Sequence, residues 1–218
     1  MRLRLLLVLL GAVLVVATYT FPIWQPILEQ RGAVAAEAFP GLPPQLQSDF
    51  VSLPPEQQRA YLAFAQTDQV KAINMVIAAL SPRAALPEEE QEMPELSAPV
   101  IVASGTFGRI DAVRWAQGTV NIYRDSSNIL TLRIEDLRMT NGPDLHVQLS
   151  AVDAPTGTIT DMTANEIVPL DAGLLKASDG DQNYQLPDGT NLTQYRSVVI
   201  YSTSLDVVYS YAPLFVRQ

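Results

Sequence analysis

In Thr140-Asn141-Gly142-Pro143-Asp144-Leu145-His146-Val147-Gln148-Leu149-Ser150 a turn runs straight into a strand. Pro143 fixes its own φ and keeps Gly142 out of the α region, and Gly142 supplies a positive φ for the turn. Leu145, Val147 and Leu149, with Ala151 beyond them, alternate with Asp144, His146, Gln148 and Ser150. That alternation predicts a strand with one buried and one wet face.

The flanking sequence reads the same way. Upstream, Val120 and Ile122 alternate with Thr119, Asn121 and Tyr123, and Asp125-Ser126-Ser127-Asn128 closes a hairpin. The return strand buries Leu130, Leu132 and Ile134 and exposes Thr131, Arg133 and Glu135. The parity then breaks, since Leu137 and Met139 are the next apolar positions, which predicts a bulge or bend near Asp136. Downstream, 153–165 reads as a polar surface loop and Ser178-Asp179-Gly180-Asp181 as a turn, followed by a short strand through Tyr184 and Leu186. Val198 to Tyr201 is apolar on both faces, as in a strand covered on each side, and Leu205, Val207 and Tyr209 form the last long strand. Short strands between Gly, Asn, Asp and Pro turns predict a mainly β domain over 100–218, an antiparallel sandwich or a barrel-like sheet.

The segments ahead of it differ in kind. Arg2 and Arg4 precede an apolar run that extends from Leu5 to Trp24. A cleaved signal peptide has such a basic start and an apolar core of about 7–15 residues, with Val15-Val16-Ala17 as its cleavage site. An uncleaved anchor needs about 20 apolar residues, which 5–24 supplies, with Tyr19 and Trp24 at the interface. The continuation past Ala17 favours the anchor, so 1–24 is read as a membrane segment with the rest outside the cytoplasm, or secreted if the segment is cleaved. Residues 39–81 switch to helical spacing. Pro54-Pro55-Glu56 starts a helix with Tyr61, Leu62, Phe64 and Ala65 on one stripe, and Thr67 or Asp68 caps a second through Val70, Ile73, Val76, Ile77 and Leu80. A shorter helix is expected near Pro44 to Val51. Residues 82–99 hold four prolines and five glutamates and read as an extended, solvated linker.

Composition narrows the chemistry. A net charge of −9 argues against nucleic acid as a partner, because phosphate binding needs clustered Lys and Arg. The absence of cysteine removes disulfides, thiol redox chemistry and thiolate metal sites. His146 is the one histidine and shares a strand face with Asp144, too few ligands to predict a metal site. No cofactor is predicted; a flavin, or a haem taking His146 with Met139 or Met162, stays open. No Gly-x-Ser-x-Gly elbow occurs, and adjacent Glu135 and Asp136 would point to opposite faces of a regular strand, so no catalytic residue is assigned.

Gly105-Thr106-Phe107, Gly118-Thr119-Val120, Asn141 to Val147, Gly180-Asp181-Gln182-Asn183-Tyr184, Tyr195 to Ile200 and Ala212-Pro213-Leu214 together resemble the DM-thirteen domain family, the electron-transfer DM domain. The similarity covers about 100–216. It implies a strand-rich extracytoplasmic module, often membrane-tethered, and a redox role linked to a cysteine whose position corresponds to Ser202. A serine hydroxyl cannot form a sulfenic acid or disulfide, so the thiol mechanism does not carry over. Asp144, Asn183 and Tyr184 fall in the family's motifs and, with His146 and Ser202, are the candidate binding or motif residues. Two functions follow: a membrane-tethered, non-enzymatic module for an unknown protein or small-molecule ligand, or an electron-transfer component with a bound cofactor.

Overall fold

A computed structural model describes residues 39–216. The expected anchor or signal segment, 5–24, lies outside the described residues; among those described, no helix is long and apolar enough to cross a membrane. The chain divides into two compact units, Met1–Phe39 and Pro40–Gln218, and every element below belongs to the second.

Two antiparallel sheets form a sandwich. Strands β1 (Val100–Thr106), β2 (Ala116–Arg124), β3 (Leu130–Met139), β6 (Asp179–Gln185) and β9 (Phe215–Val216) make a five-stranded sheet in the order β6-β3-β2-β1-β9. Strands β4 (Leu145–Ser150), β5 (Leu170–Leu174), β7 (Ser197–Ser202) and β8 (Val207–Pro213) make a four-stranded sheet in the order β5-β4-β7-β8. Leu132, Ile134, Val120 and Ile122 from the first sheet, and Val147, Leu149, Val198 and Ile200 from the second, are fully buried. The sandwich, not a barrel, is therefore the architecture. The predicted break near Asp136 is present: the register of β3 against β6 shifts between Ile134 and Leu137, and Asp136 takes φ 52°.

The expected wet face of β4 is largely covered. Gln148 and Ser150 are buried because the 151–166 connection folds back over that face, with a short 3-10 helix at Ile159–Met162. Met162 packs on Val199, Tyr201 and Val208, and the Ser150 hydroxyl donates to the Met162 carbonyl at 2.9 Å. The turn read at 178–181 is instead the start of β6. Gly180, at φ 91°, and Asp181 can continue the strand because Asp181 is held by Arg133 from β3.

Among the described residues, three helices precede the sheets: α1 (Pro44–Ser52), α2 (Pro55–Thr67) and α3 (Gln69–Leu80). Proline opens α1 and α2, where its missing N–H costs nothing, and Asp68 caps α3 by accepting from the Lys71 amide at 2.9 Å. They pack on one end of the sandwich. Tyr61 is buried, Arg114 lies 5.2 Å from the centre of the Phe64 ring, and Asn141 donates to the Ser81 carbonyl at 3.0 Å.

The 82–99 stretch, expected as a free tether, is docked along β6. Ala85 bridges to Asp179 in parallel, and the Ser178 amide donates to the Ala84 carbonyl at 3.2 Å. A one-turn helix α4 (Glu88–Gln91) then crosses the outer face of the five-stranded sheet. Arg133 donates to the Gln91 carbonyl at 3.0 Å, and the Asn183 amide donates to the Glu92 carbonyl at 2.8 Å. Proline and glutamate disfavour a buried segment, yet they leave backbone carbonyls free to accept from a sheet that carries donors. The docked segment also covers the Asp179 end of β6, an edge strand of the five-stranded sheet.

Candidate functional site

The Asn141–Asp144 turn lies where the helical region meets the open end of β4. Its glycine is needed for closeness rather than for a positive φ, which falls instead on Asp144 at 48°. A Cβ on Gly142 would stand 2.5 Å from the Tyr209 ring, and Tyr209 is fully buried. Aspartate tolerates the left-handed region because its short side chain bonds locally. Here the Asp144 carboxylate accepts from the Thr203 hydroxyl, and its carbonyl accepts from the Thr203 amide at 3.1 Å.

Ser202 fastens the same turn from below. It is fully buried, its hydroxyl donates to the Pro143 carbonyl at 2.7 Å, and its oxygen accepts from the Leu205 amide at 3.3 Å. A buried hydroxyl with both a donor and an acceptor role satisfied is a structural clasp.

His146, on the outer face of β4, sits between two carboxylates. Its Nδ1 donates to Asp171 at 2.9 Å, and its Nε2 is 3.6 Å from Asp144. Asp171 comes from β5, opposite Gln148, and was not singled out in the sequence because its approach depends on the bulge in that pairing. Among the described residues, no group of three or more His, Asp or Glu side chains is arranged to hold a metal ion. Met139 and Met162 are both fully buried.

Asn183 and Tyr184 are adjacent on β6 and face opposite ways. Asn183 accepts from Arg133 at 2.9 Å on the outer face, away from the turn. Tyr184 faces inward, where its hydroxyl donates to Gln182 Oε1 at 2.7 Å. That same oxygen accepts from the Lys176 amide at 3.0 Å, and Gln182 Nε2 donates to the Ala177 carbonyl at 2.6 Å. Burial pushes the Tyr184 phenol well above its usual range, so it stays a neutral donor. Gln182 is thus the hub that shapes the 175–178 loop. Its place inside the Gly180–Tyr184 motif was the only signal for it.

Between this loop and the Asn141–Asp144 turn lies a groove of about 580 Å³, closed at one end by Ser81, Pro82 and Ala84. That size is within the range of small-molecule sites, about 300–1,000 Å³. Asn141, Gly142 and Asp144 line one wall, and Lys176 and Ser178 the other. Residues of both charge signs therefore line one opening. The Lys176 ammonium is steadied by the Asn183 carbonyl at 2.9 Å and by the Tyr184 ring at 5.3 Å. The Ser178 hydroxyl is buried and has no hydrogen-bond partner, an uncommon state for a native group. Of the residues expected from sequence, Asp144 lines the groove, Tyr184 shapes its far wall and Ser202 supports its near one. His146 stands behind Asp144, and Asn183 faces elsewhere.

Residues 107–214 match the family model described as Electron transfer DM13, and they include both walls of the groove from Asn141 to Ser178. That stretch is a domain of this family. No curated protein and no solved structure matches the chain.

Proposed function

We propose that this member of the electron-transfer DM-thirteen family is a membrane-tethered, extracytoplasmic, non-enzymatic binding module whose ligand site is the groove beside Asn141–Asp144. The observation that carries the reading is the composition of that groove. The family's turn forms one wall, and Asp144 and Lys176 bring residues of opposite charge to one opening of small-molecule size. The apolar run 5–24 with Arg2 and Arg4 ahead of it supports the tether. The family's description favours a second reading, an electron-transfer component with a bound cofactor.

The test places a photo-crosslinking phenylalanine analogue at Ala84, an exposed position at the groove's end, in the full chain within its own host. The expected result is a discrete adduct in the alkali-resistant membrane fraction that is lost when Asp144→Ala and Lys176→Ala are combined. A control analogue at exposed Arg124, on β2, should yield none. Identical adducts from both positions, or an adduct indifferent to the two charge substitutions, would refute the groove as the site.

A further inference from the structure

A second concavity, of about 390 Å³, lies where α2 meets the connection between β1 and β2. We propose that it binds a neutral sugar unit of a glycan, with Trp115 as the stacking wall. Trp115, half-buried, lines it together with Phe107, Glu56, Gln57, Arg109 and Gln117.

The choice of ligand rests on what these groups offer together. An indole presents a flat apolar face with weakly negative charge, which suits the C–H face of a pyranose ring. The amides of Gln57 and Gln117 each carry both donors and acceptors, matching hydroxyls that both give and accept. Glu56 and Arg109 are planar groups able to engage neighbouring hydroxyls in pairs. They also pair with each other at 3.2 Å, so the concavity has no net charge to select an ion. With side chains more than half exposed, that pair adds little to stability, which leaves its position at the rim unexplained by folding alone. A ligand with one apolar face, many hydroxyls and no charge is the class that fits.

The wall is preformed. Trp115 bridges to Arg109, its carbonyl accepts from the Thr140 amide at 3.2 Å, and the Arg109 Nε donates to the Asp111 carbonyl at 2.9 Å. A backbone already held in this way loses less freedom when a ligand arrives. The helical region supplies Glu56 and Gln57, so its docking on the sandwich completes this site.

The experiment titrates the full chain in detergent with cellotetraose, maltotetraose, mannotetraose and chitotetraose, following indole emission. The chain has two tryptophans, so Trp24→Phe serves as the background in which Trp115 is the sole reporter. At least one neutral tetrasaccharide should give a saturable change in emission. Trp115→Ala, followed by calorimetry because it removes the reporter, should weaken binding about tenfold or more, and Trp115→Phe should retain part of it. Gln117→Ala, at an exposed position, should weaken it about threefold. Combined Asp144→Ala and Lys176→Ala should leave it unchanged, which separates this site from the groove. The proposal is overturned if none of the four sugars gives a saturable change, or if affinity survives Gln117→Ala and Trp115→Ala. It is equally overturned if decaproline alone produces the response, which would make the concavity a polyproline site.

Discussion

Replacing Arg133 with methionine is expected to destabilise the protein by about 3–5 kcal/mol and to lower its melting temperature by roughly 10 °C. Arg133 lies on the outer face of β3, with its side chain only 9% exposed. Its guanidinium donates to Glu135 at 2.9 Å, to Asp181 at 2.5 Å, to Asn183 at 2.9 Å and to the Gln91 carbonyl at 3.0 Å. Removing the cation leaves Glu135 and Asp181 without a counter-charge, with only Asn121 and the Asp136 amide still donating to them, and it removes one of the bonds that hold α4 to the sheet. Lysine should recover only part of the loss, because an ammonium cannot spread its donors over four acceptors in a plane. Thermal unfolding of the full chain followed by circular dichroism gives the magnitude. Cleavage by a glutamate-specific protease within 88–95 gives the cause: Arg133→Met should accelerate it several-fold. A melting temperature within a degree or so of the parent, with unchanged cleavage, would mean that 82–99 is tethered by something other than this arginine.

Gly142→Ala is expected to cost about 2–3 kcal/mol, or roughly 5–10 °C. The added methyl would meet the Tyr209 ring at 2.5 Å for Cζ and 2.7 Å for Cε1, and the hydroxyl oxygen at 2.8 Å. Tyr209 cannot swing aside, since it is fully buried among close-packed groups. Its phenol is raised far above its usual range, chiefly by burial, and its hydroxyl has no hydrogen-bond partner. Tyr209→Phe alone should therefore leave stability unchanged or slightly higher. Tyr209→Leu should partly rescue Gly142→Ala by opening the space the methyl needs. If Gly142→Ala melts with the parent protein, the close approach is not what the glycine provides. The same substitution should also reshape the groove, since Gly142 lines its near wall.

Much of this was legible where side-chain period decides the outcome. The alternation through Leu145, Val147 and Leu149, the parity break beyond Ile134 and the Asp68 cap each came from local chemistry, and each is where the residues put it. What escaped depended on groups a side-chain pattern does not mark. The 82–99 stretch is held largely through the backbone carbonyls of Ala84, Gln91 and Glu92, which any sequence would supply. Gln148 and Ser150 look solvent-facing until the 151–166 connection folds over them. In the turn, the positive φ expected at Gly142 falls on Asp144, and the close approach of Gly142 to Tyr209 is a contact across 67 positions that spacing cannot reveal. Of the groove, Asp144 was foreseen. Lys176, Ser178 and Gln182 were not, because their roles come from the loop that Gln182 organises.

Ser202, where the resemblance to the family implies a thiol, bears on the proposal that this domain binds without carrying electrons. Ser202 is fully buried and engaged with the Pro143 carbonyl and the Leu205 amide, so it serves the turn that lines the groove. The most direct test is a visible absorption spectrum and a voltammogram of the full chain purified from its own host's membranes. The account predicts a featureless visible range and no reversible redox wave. A stoichiometric haem or flavin band with a reversible wave would contradict it and make electron transfer the leading function.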